Sequence, residues 1–237
     1  MRMGKLQGKT AIITGASSGI GVGIANELAK EGANIVLAAR RQKQLTELQH
    51  TISKYNDGKV ITVQADVSNK HDIEKLVKQA EEAFNHVDIY VNNAGQMLTA
   101  PVRSGKLEEW EQMIDTNIKG VLYGIHSVLP SMLDRSNGHI INIATVSAFE
   151  VTKSSTVYSA TKAAVQTISK GLEKELANTG VRVTNISPGM VDTPSSRNNA
   201  WNTERKKLET KDIGKAVVYA VTQPDYVNVN EITVRPV

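Results

Sequence analysis

The 237-residue sequence contains no cysteine. That excludes disulfides, thiolate chemistry and cysteine-ligated zinc, and it gives no reason to look outside a reducing compartment, so a cytoplasmic location is expected. Aromatic residues make up only 4%, and no dense run of lysine and arginine appears. Both scarcities count against nucleic acid as a partner. No apolar run approaches the length of a membrane span, so no membrane association is expected. The start, Met1 to Lys9, carries Lys and Arg without an apolar stretch, and no secretory leader is expected from it. His50, His71, His86, His126 and His139 show no metal-ligand spacing, and no pair of carboxylates stands out, so no metal is expected.

What is present reads as an ordinary globular chain, 40% hydrophobic and 22% charged. Its length suits one large core, and residues 1–237 are read as a single domain. The net charge of +4 is unevenly placed: residues 1–60 hold nine Lys/Arg against four Asp/Glu. That basic half either attracts an anionic ligand or is a solvated basic surface.

Apolar, β-branched runs recur at even intervals: 10–14, 34–39, 59–64, 88–93, 139–144, 181–186 and 231–236. Helical patterns lie between most of them. In "KHDIEKLVKQAEEAF", Ile73, Leu76, Val77, Ala80 and Phe84 share one helical face, and Ser68 and Asn69 are candidate caps before it. Strands alternating with helices predict an α/β fold, a doubly wound parallel sheet of about seven strands with helices on both faces. The near-continuous apolar strands fit burial on both sides. The long polar stretch 194–211 is read as a solvated helix or a lid, with 190–212 as a substrate-binding loop.

"TGASSGIG", residues 14–21, stands between the first strand and a helical pattern. Gly15, Gly19 and Gly21 there let a backbone approach a pyrophosphate, and the helix start offers free N–H groups to it. The second strand ends in Ala39, Arg40 and Arg41. A carboxylate at that point would select NAD by accepting bonds from the ribose 2′-hydroxyl. Two guanidiniums instead favour the 2′-phosphate of NADP(H), which arginine grips bidentately.

With "ADV" (65–67), "NNAG" (92–95), "TNIKG" (116–120), "YSATK" (158–162) and "SPGMVDT" (187–193) in the same order, the sequence resembles the short-chain dehydrogenase/reductase family over nearly its whole length. The resemblance implies a Rossmann fold and an assignment of roles. Ser17, Ser18 and Ile20 would meet the cofactor phosphates, and Asp66 and Val67 would flank the adenine. Asn92, Asn93, Ala94 and Gly95 would support the fourth strand and the adenosine ribose. Pro188, Gly189, Val191 and Thr193 would lie by the nicotinamide. Lys162 would hold the nicotinamide ribose hydroxyls, and Asn117 would join a proton relay. A homotetramer or homodimer is implied too. The C-terminal "PDYVNVNEITVRPV" is similar to a branch that includes NADP-dependent dehydrogenases of serine and related 3-hydroxy acids.

Interconverting an alcohol and a ketone or aldehyde by hydride transfer needs a proton donor or acceptor at the oxygen and a group that steadies developing charge there. Tyr158 and Lys162, four residues apart, share a helical face. An ammonium beside a phenol favours the phenolate, so Lys162 is expected to lower the pKa of Tyr158 and fit it for acid/base work near neutrality. The family pattern has serine thirteen residues before the tyrosine, as the second Ser of N-I-S-S. Here "NIAT" puts Thr145 there. Threonine keeps the hydroxyl and adds a methyl. Ser147 is the competitor, because residues 145 and 147 of an extended segment point the same way. The alternative function is an NADP(H)-binding sensor or scaffold with little turnover.

Overall fold

The computed structural model describes residues 4–56, 58–197 and 206–237. Seven strands form one wholly parallel sheet: β1 (Thr10–Thr14), β2 (Asn34–Ala39), β3 (Val60–Gln64), β4 (Ile89–Asn92), β5 (Gly138–Ile143), β6 (Val181–Pro188) and β7 (Glu231–Val234), in the order β3-β2-β1-β4-β5-β6-β7. The expected fold class is the observed one. β7 stops two residues before Pro236, which has no N–H to give a ladder.

The helices are α1 (Ile20–Lys30), α2 (Gln42–Ile52), α3 (Lys70–Phe84), α4 (Leu107–Ile114), α5 (Gly120–Asp134), α6 (Thr156–Glu175), α7 (Pro194–Arg197) and α8 (Thr210–Val221). They divide between two faces because successive strand residues point oppositely. Ala11 and Ile13 of β1 join a cluster with Ile24 and Leu28 of α1 and Ile213 and Val217 of α8. Ile12, between them, joins Ile73 and Leu76 of α3, Val121 and Ile125 of α5 and Val165 of α6. α3 forms as its spacing predicts: Ile73, Leu76, Val77 and Ala80 are buried, and Phe84 packs at the core's edge. Asn69 is its cap, accepting from His71 N at 2.9 Å. Between α4 and α5 the chain makes a π-helical turn over Asp115–Lys119. Such turns are rare and are found often at functional sites.

The chain runs outward from β1 to β3 and returns to β4 on the other side of β1. Loops leaving β1 and β4 therefore part in opposite directions, and a crevice opens beyond the carboxyl ends of the strands.

Candidate active site

A cavity of about 770 Å³ fills that crevice, lined by the loops that follow β1 through β6. Of the expected site residues, Gly15, Ser17, Ser18, Gly19, Ile20, Arg40, Arg41, Asp66, Val67, Asn93, Ala94, Gly95, Thr145, Tyr158, Lys162, Pro188, Gly189, Val191 and Thr193 all line it. Three do not: Gly21, Asn92 and Asn117.

One end is built to receive an anion. Gly19 precedes α1 with φ 58° and ψ −133°, a conformation that side-chain-bearing residues avoid. No side chain caps α1, and its first turn holds no acidic residue, so the free N–H groups and positive dipole end face the cavity. Arg41 closes over this end. Its Nη2 donates to Ser17 Oγ at 2.9 Å and Ser18 Oγ at 2.7 Å, tying the end of β2 to the glycine loop. Arg40 extends into solvent and pairs with Asp66 at 3.8 Å. Asp66 Oδ1 in turn accepts from Ser68 N at 3.0 Å, which fixes the loop after β3. Gly21 corrects the expectation: it lies behind the loop, where a Cβ would sit 2.5 Å from Gly15 O. It serves close packing of α1 against the glycine loop.

The middle wall hangs on Thr14, the first residue of TGASSGIG, whose role no local pattern marks. Its Oγ1 donates to Val91 O at 3.0 Å and accepts from the backbone N of Asn93 and of Ala94, each at 3.1 Å. Asn93 Nδ2 returns to Thr14 O at 2.8 Å. Asn92 points away, donating to Asn142 Oδ1 at 2.9 Å within the buried sheet.

Asn117 is fully buried in the π-turn, and its side chain is already committed. Nδ2 donates to Gln96 O at 2.9 Å and to Thr161 Oγ1 at 3.0 Å, while Oδ1 accepts from Gln96 N at 2.8 Å. Oδ1 keeps a second lone pair, so the amide can still accept one more bond. What the side chain does is lock the loop after β4 onto α6.

At the other end Tyr158, Lys162 and Thr145 converge. Lys162 Nζ donates to Ile143 O, the last residue of β5, at 2.8 Å. Burial pushes its pKa down to about 8. Tyr158 departs from expectation: burial pushes the phenol up to about 12, and the opposing downward pull comes from a hydrogen bond with Thr145, with Lys162 supplying no resolved part. Thr145 also donates to Pro188 O at 3.2 Å and accepts from Ser147 N at 3.3 Å. It therefore caps a 3₁₀ turn over Val146–Ala148, so residues 145 and 147 do not lie in one extended segment. Thr145 and Ser147 both line the cavity, and it is the Thr145 hydroxyl that pulls the phenol's pKa down.

The rim is partly sewn. Val191 bridges to Leu208, with Asp192 N to Leu208 O at 2.7 Å, so 190–193 and 206–212 are joined. Residues 198–205 of the expected lid lie outside the described residues. Arg235 Nη2 meets Glu150 Oε1 at 2.7 Å, beside the cavity wall, and lies over the Phe149 ring at 5.7 Å. Nothing in the sequence marked that pair, which is separated by 85 residues. Thr161 was likewise missed, although it sits inside the YSATK motif.

A family model described as short chain dehydrogenase matches residues 9–204. An uncharacterized oxidoreductase of Staphylococcus saprophyticus is 56% identical over 99% of this chain and 100% of its own. One from Staphylococcus aureus is 55% identical over 98% of this chain and 99% of its own. Among solved structures, the closed form of serine dehydrogenase complexed with NADP+ is 34% identical, with TM-score 0.87, covering 95% of this chain and 94% of that one. An alcohol dehydrogenase from Thermococcus sibiricus complexed with 5-hydroxy-NADP is 30% identical, with TM-score 0.89 and 97% coverage of each. The chain belongs to the short chain dehydrogenase family, whose members are oxidoreductases acting on CH–OH groups.

Proposed function

We propose that the protein is an NADP(H)-dependent oxidoreductase that interconverts a small alcohol and its ketone or aldehyde. One observation carries the reading: a single cavity has an uncapped helix N-terminus with Arg40 and Arg41 at one end, and Tyr158, Lys162 and Thr145 at the other. A nicotinamide bound between them supplies or takes the hydride. The chain supplies the rest. Tyr158 gives its phenolic proton to the carbonyl oxygen in reduction and takes it back in oxidation. Thr145 donates to the same oxygen as charge develops. Lys162, held on Ile143 O, keeps an ammonium near that point and grips the ribose. Asn117 holds the loop after β4 in register and joins the proton relay that links Lys162 to solvent. Residues 190–212 close the substrate side. The substrate class favoured is a 3-hydroxy acid such as serine, on the likeness to serine dehydrogenase. The protein works in the cytoplasm as a homodimer or homotetramer.

The test follows the absorbance of NADPH, and separately NADH, with a panel of ketones, aldehydes and 3-hydroxy acids. NADPH turnover well above NADH turnover is expected, and Arg41→Ala should weaken NADPH roughly tenfold, about one charge-assisted bond, with NADH little changed. Equal losses for both cofactors would remove the phosphate role. Tight NADPH binding with no turnover on the whole panel would favour a sensor or scaffold, a reading that Thr145 in the serine position also suggests.

A further inference from the structure

Thr161 lies one position before Lys162 and three after Tyr158, on the buried side of α6, only 2% exposed. Its Oγ1 donates to Tyr158 O at 2.7 Å. Such a bond back to the preceding turn is an ordinary habit of threonine in a helix. The same oxygen also accepts from Asn117 Nδ2 at 3.0 Å. The second hydrogen of that amide goes to Gln96 O and its Oδ1 accepts from Gln96 N, so every hydrogen in the network is engaged. Gln96 follows Gly95 in the cavity wall, and a Cβ on Gly95 would lie 3.2 Å from Lys162 Nζ and 3.5 Å from Asn117 Oδ1. The wall that faces the cofactor and the helix turn that carries the phenol thus meet at one hydroxyl. Buried networks of this kind are rigid when complete and lose that rigidity when one member is removed.

We propose that Thr161 is a positioning residue for the reaction: its hydroxyl joins Asn117 to the backbone of Tyr158 and so sets the phenol relative to the nicotinamide and Thr145. The proposal rests on the reading of Tyr158 as the acid/base. Misplacing a reacting group by about 1 Å costs on the order of a hundredfold in rate, so the effect falls on turnover and leaves cofactor affinity in place. Thr161→Val keeps the shape and removes both bonds. Thr161→Ser keeps both.

The test compares Thr161→Val, Thr161→Ala and Thr161→Ser with wild type in three readouts. These are NADP+ affinity by fluorescence titration, kcat and KM in the substrate panel, and the titration of Tyr158 by carbon-13 tyrosine NMR assigned with Tyr158→Phe. The expected result for Thr161→Val and Thr161→Ala is kcat lowered roughly tenfold or more with KM and NADP+ affinity within about twofold. The Tyr158 midpoint should move by about 0.5 or more on the pH axis. Thr161→Ser should restore all three. The NMR readout needs no substrate and stands if the panel shows no turnover. An unmoved Tyr158 midpoint in Thr161→Val would overturn the proposal. So would a loss of fold or of NADP+ binding in both Thr161→Val and Thr161→Ala, since the role would then be structural. If Tyr158→Phe kept wild-type turnover, the acid/base reading itself would fail, which is a separate outcome.

Discussion

Thr145 stands where the family pattern has serine, and its hydroxyl pulls the Tyr158 pKa down against burial. The added methyl stiffens χ1, and the 3₁₀ turn that Thr145 caps fixes it further. The hydroxyl hydrogen lies on Pro188 O, so donating to a carbonyl oxygen requires it to turn from that acceptor. Thr145→Ala is expected to lose turnover by about a hundredfold, the scale of losing one oxyanion donor, with NADPH binding intact. Ser147→Ala should stay within about twofold, since Ser147 gives no bond to the phenol. Steady-state rates on the best panel substrate decide this, and the reverse ranking would hand the role to Ser147. The phenol also sets a pH trend. With its pKa raised to about 12, Tyr158 is protonated through the neutral range and ready as an acid, while the phenolate needed for oxidation grows as pH rises.

At the scale of elements, the seven apolar runs and the α3 pattern were legible because parallel strands buried on both faces and amphipathic helices leave periodic marks. The glycine turn was legible because a strand, a tight loop and a helix start follow one another within residues 10–30. What the sequence hid depends on contacts between distant segments. Thr14 meets Asn93 and Ala94 across 79 and 80 residues, and Thr161 meets Asn117 across 44. No local period signals such pairs. The π-turn was hidden for another reason: no local period separates a π turn from an α turn, and Asn117 within it is held by the distant Gln96 and Thr161. The Tyr158 direction was not legible because adjacency on a helix face says nothing of burial, and desolvation is the largest influence on both Tyr158 and Lys162.

At the scale of the whole molecule, a buried imidazole sits at the opposite end of the sheet from the cavity. His139 in β5 is 2% exposed, its Nε2 lies 2.8 Å from Thr184 Oγ1, and its Nδ1 has no partner. Burial, with the Arg182 charge second, lowers its pKa from the ordinary 6.5 to about 3. A depressed pKa contributes stability that is present above the unfolded value and lost as pH falls through the folded one. The window here is pH 6.5 down to 3, and within it this one group removes about 1.4 kcal/mol per pH unit. Urea unfolding across that window should show the slope, and His139→Gln should flatten it by about one proton's worth. An unchanged slope would place the acid sensitivity elsewhere.

The account stands on Tyr158 as the group that moves the proton. The most direct measurement is NADPH-dependent turnover of Tyr158→Phe beside wild type on the same carbonyl panel, with NADPH affinity measured in both. Phenylalanine fills the same space without the hydroxyl, so affinity should hold within about threefold while kcat falls by at least about a hundredfold. Turnover equal to wild type at equal affinity would contradict the account.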